Sequence, residues 1–385
     1  MEDRSFIDFP LNTVPSPCFV IDQARLRQNL ELLKRVQEES GAKILLAQKG
    51  FAMWSLYPML REYLAGVCAS GLHEALLGRQ EFNKEVHTYA PAYSDEDFKE
   101  ILGLSNHIVF NTPGQYQYFK PVIEKNDFRG SIGLRINPEY STGEVPIYDP
   151  CGPHSRLGTT LSQLEGTDIE GIEGLHFHTL CEQNVDALEE TLKVVEANFG
   201  SYLKEMKWVN FGGGHHITRA DYKVDKLIQL IKDFRNRYGV DIYLEPGEAV
   251  ALNTGILVTS VLDVMNNGMD IAILDTSATT HMPDVLEMPY RPDIWDSGEP
   301  GQKSYTYRLG GQSCLAGDVI GDYSFDQPLR RGDRIVFTDM GHYSMVKTTT
   351  FNGVKLPSIG VYKPENKEFT LIKKFGYQDF KGRLS

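Results

Sequence analysis

The chain has 385 residues, of which 41% are hydrophobic and 11% aromatic, which is enough for two domains with large cores. Its net charge of −13, without a cluster of Lys and Arg, argues against a nucleic-acid partner and is compatible with a cationic substrate. No apolar run has the length of a membrane span, and residues 1–4 lack a signal-peptide pattern, so we expect no membrane association. Five cysteines without a C-x-x-C pair predict reduced thiols in a cytoplasmic protein.

The predicted elements begin with an extended strand at residues 14–21, followed by a helix that Asp22 caps. Leu26, Leu30 and Leu33 recur at helical spacing along one face of that helix. From there, strands and helices alternate. The predicted strands are 44–48, 66–69, 86–90, 107–110, 131–136, 172–177, 207–211 and 241–245. The predicted helices between them are 54–64, 72–82, 94–104, 113–125, 184–206 and 221–238.

Eight strands with intervening helices predict an α/β fold, a parallel (β/α)8 TIM-type barrel over residues 22–249. A doubly wound sheet is the alternative, although eight units are more than it usually needs. Beyond the barrel, β-branched residues at 250–264 are followed by short strand patterns and turn residues. We therefore expect residues 1–21 and 250–385 to form a second, mostly antiparallel β domain.

The stretch Lys43–Gly50 combines a buried apolar strand with a terminal lysine. The carboxyl ends of barrel strands are where barrel enzymes place their chemistry. At such an end Lys49 would lose solvation, and the resulting neutral amine could form a Schiff base. A surface lysine that ends a strand is the simpler alternative.

The sixth predicted strand ends with His176 and His178, whose side chains alternation places on one face. Three interpretations remain open: two metal ligands, a ring that stacks on a planar cofactor, or ordinary core histidines. The seventh strand is followed by Gly212–Gly214, whose successive N–H groups could bind a phosphate or form a flexible turn. The eighth strand ends with Glu245, which could pair with a protonated ring nitrogen or be a solvated acid.

These four features lie at the predicted carboxyl ends of different strands, and one cofactor uses all of them. In pyridoxal 5'-phosphate (PLP) sites, a lysine holds the aldehyde and glycine amides hold the phosphate. An imidazole covers the ring, and a carboxylate keeps the pyridine nitrogen protonated.

From Pro17 to about Gly360, the sequence resembles the PLP-dependent alanine racemase and ornithine decarboxylase group, which has the type III PLP fold. The motifs that carry this resemblance are Cys68–Ser70, Phe177–His178, Gly212–Gly214, Glu245–Gly247, Ser313–Cys314 followed by Asp318, and Gly341–Tyr343. The resemblance implies that Lys49 forms the Schiff base, His178 stacks on the ring and Glu245 pairs with the pyridine nitrogen. It implies that Gly213, Gly214 and Tyr343 contact the phosphate. By the same resemblance, Arg135 lies near the cofactor and Cys314 is the catalytic thiol. It also implies a homodimer with shared active sites, because the matching cysteine loop enters the partner's barrel.

Three departures distinguish the chain from ornithine and diaminopimelate decarboxylases. It has Glu248 where they usually carry Arg, Leu180-Cys181 where they carry a Gly-Ser pair, and Val67 where ornithine decarboxylase has an acid. In the residues at these three positions and in the stretches 279–284 and 314–318, the sequence resembles the carboxynorspermidine/carboxyspermidine decarboxylases. That resemblance implies decarboxylation of a long, cationic carboxy-polyamine to norspermidine or spermidine. Glu248, Asp284 and Asp318 are the candidate residues for binding its amines.

Other functions remain to be tested. Decarboxylation of diaminopimelate or another basic amino acid is the main alternative within the same fold. A metal-dependent barrel hydrolase using His176 and His178 would leave the glycine triplet without a role. A non-catalytic PLP-binding relative would be expected to lack Lys49 or Cys314.

Overall fold

The computed structural model describes residues 9–143, 147 and 149–385. The chain divides into two compact units. One is Asn29–Val250, and the other combines the stretch up to Gln28 with Ala251–Ser385. The described strands are β1 Cys18–Asp22, β2 Lys43–Ala47, β3 Gly66–Ala69, β4 Glu85–Tyr89, β5 His107–Phe110, β6 Ser131–Arg135, β7 Gly174–His176, β8 Trp208–Asn210, β9 Asp241–Leu244, β10 Gly255–Asn266, β11 Asp270–Leu274, β12 Tyr305–Gly310, β13 Val319–Phe325, β14 Arg334–Phe337, β15 Ser358–Lys363 and β16 Glu368–Lys373.

The α-helices are mostly shorter than the strand–helix repeat predicts. They are α1 Gln23–Ser40, α2 Tyr57–Leu60, α3 Leu72–Leu77, α4 Asp95–Leu104, α5 Pro113–Lys125, α6 Leu161–Leu164, α7 Val185–Leu203, α8 Val224–Tyr238, α9 Glu248–Ala251, α10 Ala278–His281, α11 Asp284–Glu287 and α12 Tyr377–Lys381. Asp22 caps α1 as predicted, because its Oδ1 accepts the N–H groups of Ala24 and Arg25 at 2.9 and 3.1 Å. The predicted helix 72–82 ends early and continues as a π-helical turn over Gly78–Phe82.

Strands β2 to β9 close into a parallel barrel, which confirms the predicted fold and excludes the doubly wound sheet. Each strand pairs with the next in the chain, and β9 closes the ring by pairing with β2. The buried apolar runs explain why the eight strands were predictable, since Ile44, Leu45 and Leu46 have no exposed surface. The segment between β6 and β7 is the least regular, with only the four-residue α6 among its described residues.

The second unit contains a mostly antiparallel sheet in the order β13-β12-β11-β10-β1-β15-β16, with β14 also paired to β10. Only β1–β15 and β11–β12 are parallel pairs among the described strands. Strand β10 begins later than the predicted residue 250, because α9 and a turn come first. The core includes the fully buried side chains of Leu257, Leu274, Leu309 and Phe337.

The amino ends of the barrel strands enclose a layer of polar side chains. Glu85 bonds to Lys43 Nζ at 2.7 Å and to His87 Nε2 at 3.2 Å, and the His87 ring stacks on His107 at 3.9 Å. Burial alone would raise the pKa of Glu85, but His87 and Lys43 lower it to about 2. Burial and the neighbouring His87 lower the pKa of His107 to about 2. The sequence patterns predicted the strands but not this cluster.

Among the described residues, none of the helices combines the length and apolar character needed to cross a bilayer. All five cysteines are free thiols.

Candidate active site

The turn after β2 presents Lys49 at the carboxyl end of the barrel. Gln48 anchors this turn, because its Nε2 donates to the Glu74 carbonyl at 2.8 Å and its Oε1 accepts the Tyr57 hydroxyl at 3.1 Å. The Lys49 side chain is exposed. The expectation that Lys49 loses its solvation is therefore wrong for the protein alone, and the amine is accessible to a ligand.

The Lys49 turn packs against the turn after β9 by direct backbone contact. The N–H of Ala47 donates to the Pro246 carbonyl at 3.1 Å. A Cβ atom added to Gly50 would lie 3.0 Å from the Cα of Gly247. Glycine is therefore needed at this contact, and the close approach brings the loops of Lys49 and Glu245 together.

Glu245 is a largely buried carboxylate with two side-chain partners. His176 Nε2 lies 3.2 Å from its Oε2, and Asn210 Nδ2 donates to its Oε1 at 2.7 Å. Burial alone would raise the pKa of Glu245, but His176 and Asn210 outweigh burial and lower the pKa to about 2. The carboxylate is therefore ionised at neutral pH. Asn210 was not singled out from the sequence, although its position directly before the glycine triplet was the available signal.

His178 is a neutral ring fixed by the glycine loop. Its Nδ1 accepts the N–H of Gly213 at 2.9 Å. Burial, followed by the positive charges of Lys49 and Arg135, lowers its pKa well below the usual value. Arg135 also donates to the His178 carbonyl at 3.3 Å and lies 4.8 Å from the centre of the Tyr89 ring. These contacts hold His178 at the mouth of the barrel.

His176, at the end of β7, and His178, two residues beyond it, do not form a metal site with other described residues. Among the described residues, neither His176 nor His178 belongs to a group of three or more potential ligands. His176 is paired with Glu245, and His178 uses its Nδ1 to accept a backbone N–H. This geometry contradicts the interpretation of the chain as a hydrolase with these two residues as metal ligands.

The glycine triplet is a tightly packed loop and not merely a flexible turn. Gly212 and Gly214 have φ angles of +69° and +81°, which favour glycine. A Cβ atom on Gly213 would lie 2.5 Å from the Glu245 carbonyl oxygen, and one on Gly214 would overlap the Leu180 carbonyl. The N–H groups of Gly212 and Gly213 already donate to Asn210 and His178. A phosphate bound here would therefore depend on the later amides of the loop.

Glu248 belongs to a group that we call the acidic cluster, formed by Glu182, His216 and Glu248. Their potential ligand atoms lie within 4.8 Å of one another, and His216 Nε2 is 3.3 Å from Glu248 Oε2. Burial and the charges of Glu182 and Glu248 raise the pKa of nearby Cys181 to about 11, whereas Lys49 acts in the opposite direction. Glu248 is a residue predicted from the sequence, whereas Glu182 and His216 were not predicted, because they lie in loops after different strands.

In the sheet unit, Cys314 lies on the loop between β12 and β13. Its thiol is exposed, and its backbone N–H donates to Asn352 Oδ1 at 2.7 Å. Asp318 lies at the base of the same loop, where it accepts the Ser277 hydroxyl at 2.8 Å and the Ser313 N–H at 3.2 Å. Asp318 is buried, and its carboxylate shapes the loop of Cys314; its contact with a substrate amine stays a prediction.

Two further predicted site residues also lie in the sheet unit. Asp284 forms an ion pair with Lys347, which balances its charge. Tyr343 has a φ of +48° and follows Gly341, which packs closely on Gly255. A Cβ added to Gly255 would lie 2.6 Å from the Gly341 Cα. This close packing fixes the backbone that leads to Tyr343.

Comparisons with known proteins agree with this arrangement. A family model described as pyridoxal-dependent decarboxylase, C-terminal sheet domain, matches residues 18–341. Over 95% of its length, the chain is 47% identical to the carboxynorspermidine/carboxyspermidine decarboxylase of Campylobacter jejuni, of which 98% is covered. Over 97% of its length, it is 46% identical to the carboxyaminopropylagmatine decarboxylase of a Synechocystis species, of which 96% is covered.

A solved structure supports the same similarity. The crystal structure of carboxynorspermidine decarboxylase complexed with norspermidine, from Campylobacter jejuni, matches with a TM-score of 0.89 and 45% identity. The match covers 96% of this chain and 100% of that chain. Diaminopimelate decarboxylases are more distant; the enzyme of Pseudomonas fluorescens is 24% identical over 58% of this chain and 57% of its own length.

Proposed function

Because the chain belongs to the pyridoxal-dependent decarboxylase family, we propose that it removes the α-carboxylate of carboxynorspermidine or carboxyspermidine to give norspermidine or spermidine. The observation that carries this proposal is the ionised Glu245, held by His176 and Asn210 beside the turn of Lys49. The high identity to a decarboxylase of these substrates supports the choice of substrate class.

The residues at the mouth of the barrel fit PLP as the cofactor. Glu245 is a largely buried carboxylate that keeps its charge, which suits a partner for a protonated pyridine nitrogen. The glycine triplet Gly212–Gly214 packs closely against Phe177, Glu245 and Leu180, and the backbone N–H groups that follow its first two residues suit a phosphate. Lys49 supplies an accessible amine for the cofactor aldehyde. When bound, PLP withdraws electrons from the bond between the substrate α-carbon and its carboxylate.

Each side chain at this site then has a defined task. Glu245 holds the proton on the ring nitrogen, because a group with a pKa of about 2 remains an anion at neutral pH. His176 and Asn210 orient that carboxylate from opposite oxygens. His178, which is neutral and fixed by Gly213, is the proposed stacking partner of the ring.

For the remaining cofactor contacts, we propose that Gly213 and Gly214 border the phosphate, that Gly214 and the amides after it donate to it, and that Tyr343 adds a hydroxyl contact. Arg135 supports this region by holding the carbonyl of His178. It thus acts as a positioning residue. The resemblance to PLP-dependent decarboxylases supports the role of Tyr343.

Cys314 is the proposed proton donor. When the carboxylate leaves as CO2, the electron pair of the broken carbon–carbon bond remains with the substrate. The α-carbon then takes a proton from the Cys314 thiol. Solvent returns a proton to the resulting thiolate. The exposed position of the thiol on a loop fixed by Asn352 and Asp318 supports this role. We further propose a homodimer in which Cys314 of each subunit completes the site of the other.

The acidic cluster is the proposed binding site for a cationic part of the substrate. Two carboxylates within 4.8 Å of His216 provide acceptors for ammonium hydrogen bonds. Glu248 lies beside the Lys49 turn, because a Cβ atom added to Gly50 would lie 3.3 Å from the backbone nitrogen of Glu248. Asp284 stays a predicted contact of a more distant amine. The free cysteines support the proposal of a cytoplasmic location.

Carboxyaminopropylagmatine is a second candidate substrate, because the relative named for it is nearly as similar as the first. Its agmatine part ends in a guanidinium, which two carboxylates can also bind.

The test is an assay of CO2 release by the purified enzyme with carboxynorspermidine, carboxyspermidine, carboxyaminopropylagmatine, ornithine and diaminopimelate. We expect kcat/KM for one carboxy-polyamine to exceed those for ornithine and diaminopimelate by about 100-fold or more, because unmatched buried polar groups discriminate strongly. A preference for carboxyaminopropylagmatine would select the second candidate. Efficient turnover of diaminopimelate alone would contradict both.

A further inference from the structure

We propose that Tyr89 is a positioning residue of the cofactor site, because one face-to-face contact and one cation contact let its ring orient both His176 and Arg135. The inference rests on the proposed function, in which His176 orients Glu245 and Arg135 holds the carbonyl of His178. Tyr89 was not predicted as a site residue from the sequence.

Strand register places Arg135 and His176 side by side. They are direct partners in the parallel ladder of β6 and β7, and His176 is in turn the partner of Asn210 on β8. Each is the last residue of its strand, and so is Tyr89 on β4. Partners in a ladder share a face of the sheet, so Arg135, His176 and Asn210 form one row at the carboxyl end of the barrel. Tyr89 contacts two members of that row from a different strand.

The first contact is the stacking of the Tyr89 ring on the imidazole of His176. The ring centres are 5.4 Å apart, and the planes differ by 26°. Burial lowers the pKa of His176, although Glu245 acts in the opposite direction, so the imidazole is neutral at neutral pH. An ionised carboxylate only accepts hydrogen bonds, and Nε2 of His176 must therefore carry the proton that faces Glu245.

Stacking supplies a constraint that hydrogen bonding does not. The Nδ1 of His176 is buried and has no hydrogen-bond partner among the described residues. A single hydrogen bond through Nε2 leaves an imidazole free to swing about that bond. The flat face of Tyr89 opposes such a swing, so it keeps the N–H of His176 directed at Glu245.

The second contact is between the Tyr89 ring and the guanidinium of Arg135. The guanidinium carbon lies 4.8 Å from the ring centre, and Arg135 is only 5% exposed. An aromatic face attracts a cation more strongly where water is excluded. Arg135 donates to the carbonyl of His178, a neutral acceptor, so the ring contributes to offsetting its buried charge. Loss of the ring would therefore release Arg135 from His178.

The ring itself is held at its hydroxyl end. The Tyr89 hydroxyl donates to Asn111 Oδ1 at 2.7 Å. Burial raises the pKa of Tyr89, although Arg135 acts in the opposite direction, so the hydroxyl remains a donor at neutral pH. Asn111 is buried, and it is fixed by the N–H of Gly158 at 2.7 Å and by the carbonyl of Arg156 at 2.8 Å. Tyr89 is thus anchored to the segment that follows β6.

This arrangement predicts a specific pattern of effects. Without the ring of Tyr89, the side chains that orient Glu245 and His178 would both lose a constraint. Cofactor affinity and kcat should then fall together. The KM for the substrate should change little, because the acidic cluster binds the substrate amine separately. A tyrosine with only a packing role would instead lower stability and leave the affinity for PLP unchanged.

The experiment titrates full-length protein, stripped of cofactor, with PLP and follows the cofactor absorbance. Steady-state kinetics with the preferred carboxy-polyamine and thermal melting complete the measurements. Tyr89→Leu and Tyr89→Met remove the ring, whereas Tyr89→Phe retains it. Tyr116→Leu is the matched control: Tyr116 is buried in the same unit, its hydroxyl donates to the Glu170 carbonyl at 2.8 Å, and its ring packs on Phe110.

We expect Tyr89→Leu and Tyr89→Met to raise the Kd for PLP about 10-fold, because only about a tenth of the molecules would keep the binding orientation. Their kcat should fall by roughly 10- to 100-fold with little change in KM. Tyr89→Phe should stay within about 5-fold of the wild type, because it loses one neutral hydrogen bond. Tyr116→Leu should lower the melting temperature and retain both the PLP affinity and kcat.

Three results would overturn the role of Tyr89. These are wild-type PLP affinity in a folded variant without the ring, a loss in Tyr116→Leu as large as in Tyr89→Leu, or a 10-fold loss of PLP affinity in Tyr89→Phe. The last result can be measured even if the other Tyr89 variants fail to fold. A wild type that binds PLP but decarboxylates none of the tested substrates would refute the proposed function, and the PLP titrations would still decide the role of Tyr89.

Discussion

The two ends of the barrel contain the same pair of side chains in different surroundings. At the carboxyl end, Glu245 lies 3.2 Å from His176, and at the amino end, Glu85 lies 3.2 Å from His87. Each pKa is lowered to about 2. The other oxygen of Glu245 is bound by the neutral amide of Asn210, whereas that of Glu85 is bound by the ammonium of Lys43.

The difference shows that the second partner determines the net charge that remains for a ligand. An amide fixes the Glu245 carboxylate without neutralising it, so the negative charge remains available to a cationic group. The Lys43 ammonium offsets the charge of Glu85 and favours a stable polar layer. A carboxylate–histidine pair alone is therefore not evidence of a catalytic site.

Replacing the lysine at the carboxyl end should have the largest effect. Lys49→Ala should abolish both decarboxylation and covalent cofactor attachment, because the amine that would hold the aldehyde is removed. Lys207→Met, an exposed lysine at the amino end, should leave both unchanged. Borohydride reduction followed by peptide mass spectrometry measures attachment. Labelling of a different lysine in the wild type would reject the assignment.

A mixing experiment asks whether the carboxyl end requires a second subunit. Lys49→Ala and Cys314→Ala should each be nearly inactive, but subunit exchange should restore roughly a quarter of wild-type activity. Half of the dimers would then be hybrids, each with one intact site. Mass spectrometry of the mixture confirms hybrid formation. Hybrids without recovered activity would show that Cys314 acts within its own chain or is not required.

Removing the charge of Glu245 tests its proposed role, which is to keep the pyridine nitrogen of the cofactor protonated. Glu245→Gln should lower kcat by about 100-fold, since the stabilising charge is lost while the size of the side chain is retained. Glu173→Gln at the amino end is the control and should retain normal kcat. Bound cofactor should be quantified by absorbance in both variants. A normal kcat in Glu245→Gln with full cofactor occupancy would refute the role.

Changes in the acidic cluster should have a smaller and more selective effect. Glu248→Gln should raise KM by about 10-fold with little change in kcat, because one ionic contact to a substrate amine is lost. Glu248→Arg should damage substrate use more strongly and still retain the cofactor. Steady-state kinetics and cofactor content separate the two effects. Loss of cofactor with unchanged KM and kcat would indicate a cofactor role instead.

The smallest expected effect concerns stability at low pH. Both Glu245 and Glu85 have a pKa lowered from 4.5 to about 2 in the folded protein. Their contributions to the free energy of unfolding are therefore present above the pKa of the unfolded state, and they are lost as the pH falls from about 4.5 towards 2. Urea unfolding at several pH values should show a shallower pH dependence in Glu245→Gln and in Glu85→Gln. An unchanged slope in both variants would contradict these pKa shifts.

Sequence patterns were sufficient for the barrel because its strands are short buried apolar runs bounded by turns. They also placed Lys49 and Glu245 correctly at strand ends. In the sheet unit, strand patterns at residues 304–309, 334–338 and 360–362 predicted β12, β14 and β15. Strands β11, β13 and β16 were not predicted, since partly exposed sheet strands carry a weaker apolar pattern. The most exposed of these, β16, is an edge strand.

The contacts that tune the site were less accessible to prediction. Asn210 meets Glu245, and His87 meets His107, only because neighbouring strands adopt a particular register. Register depends on the closure of the whole barrel, which a local pattern does not specify. The buried bond between Ser277 and Asp318 likewise joins segments that are distant in sequence.

The backbone contact between Gly50 and Gly247 has a consequence for the order of folding. These residues follow the first and last barrel strands, whose pairing joins Lys43 to Tyr243, 200 positions apart in the chain. Contacts of such long sequence separation form slowly, because a large loop must close first. Lys49 and Glu245 become neighbours only when this seam closes. The ability to bind the cofactor should therefore appear late in refolding, after most of the helical signal, and a fragment that lacks either strand should never acquire it.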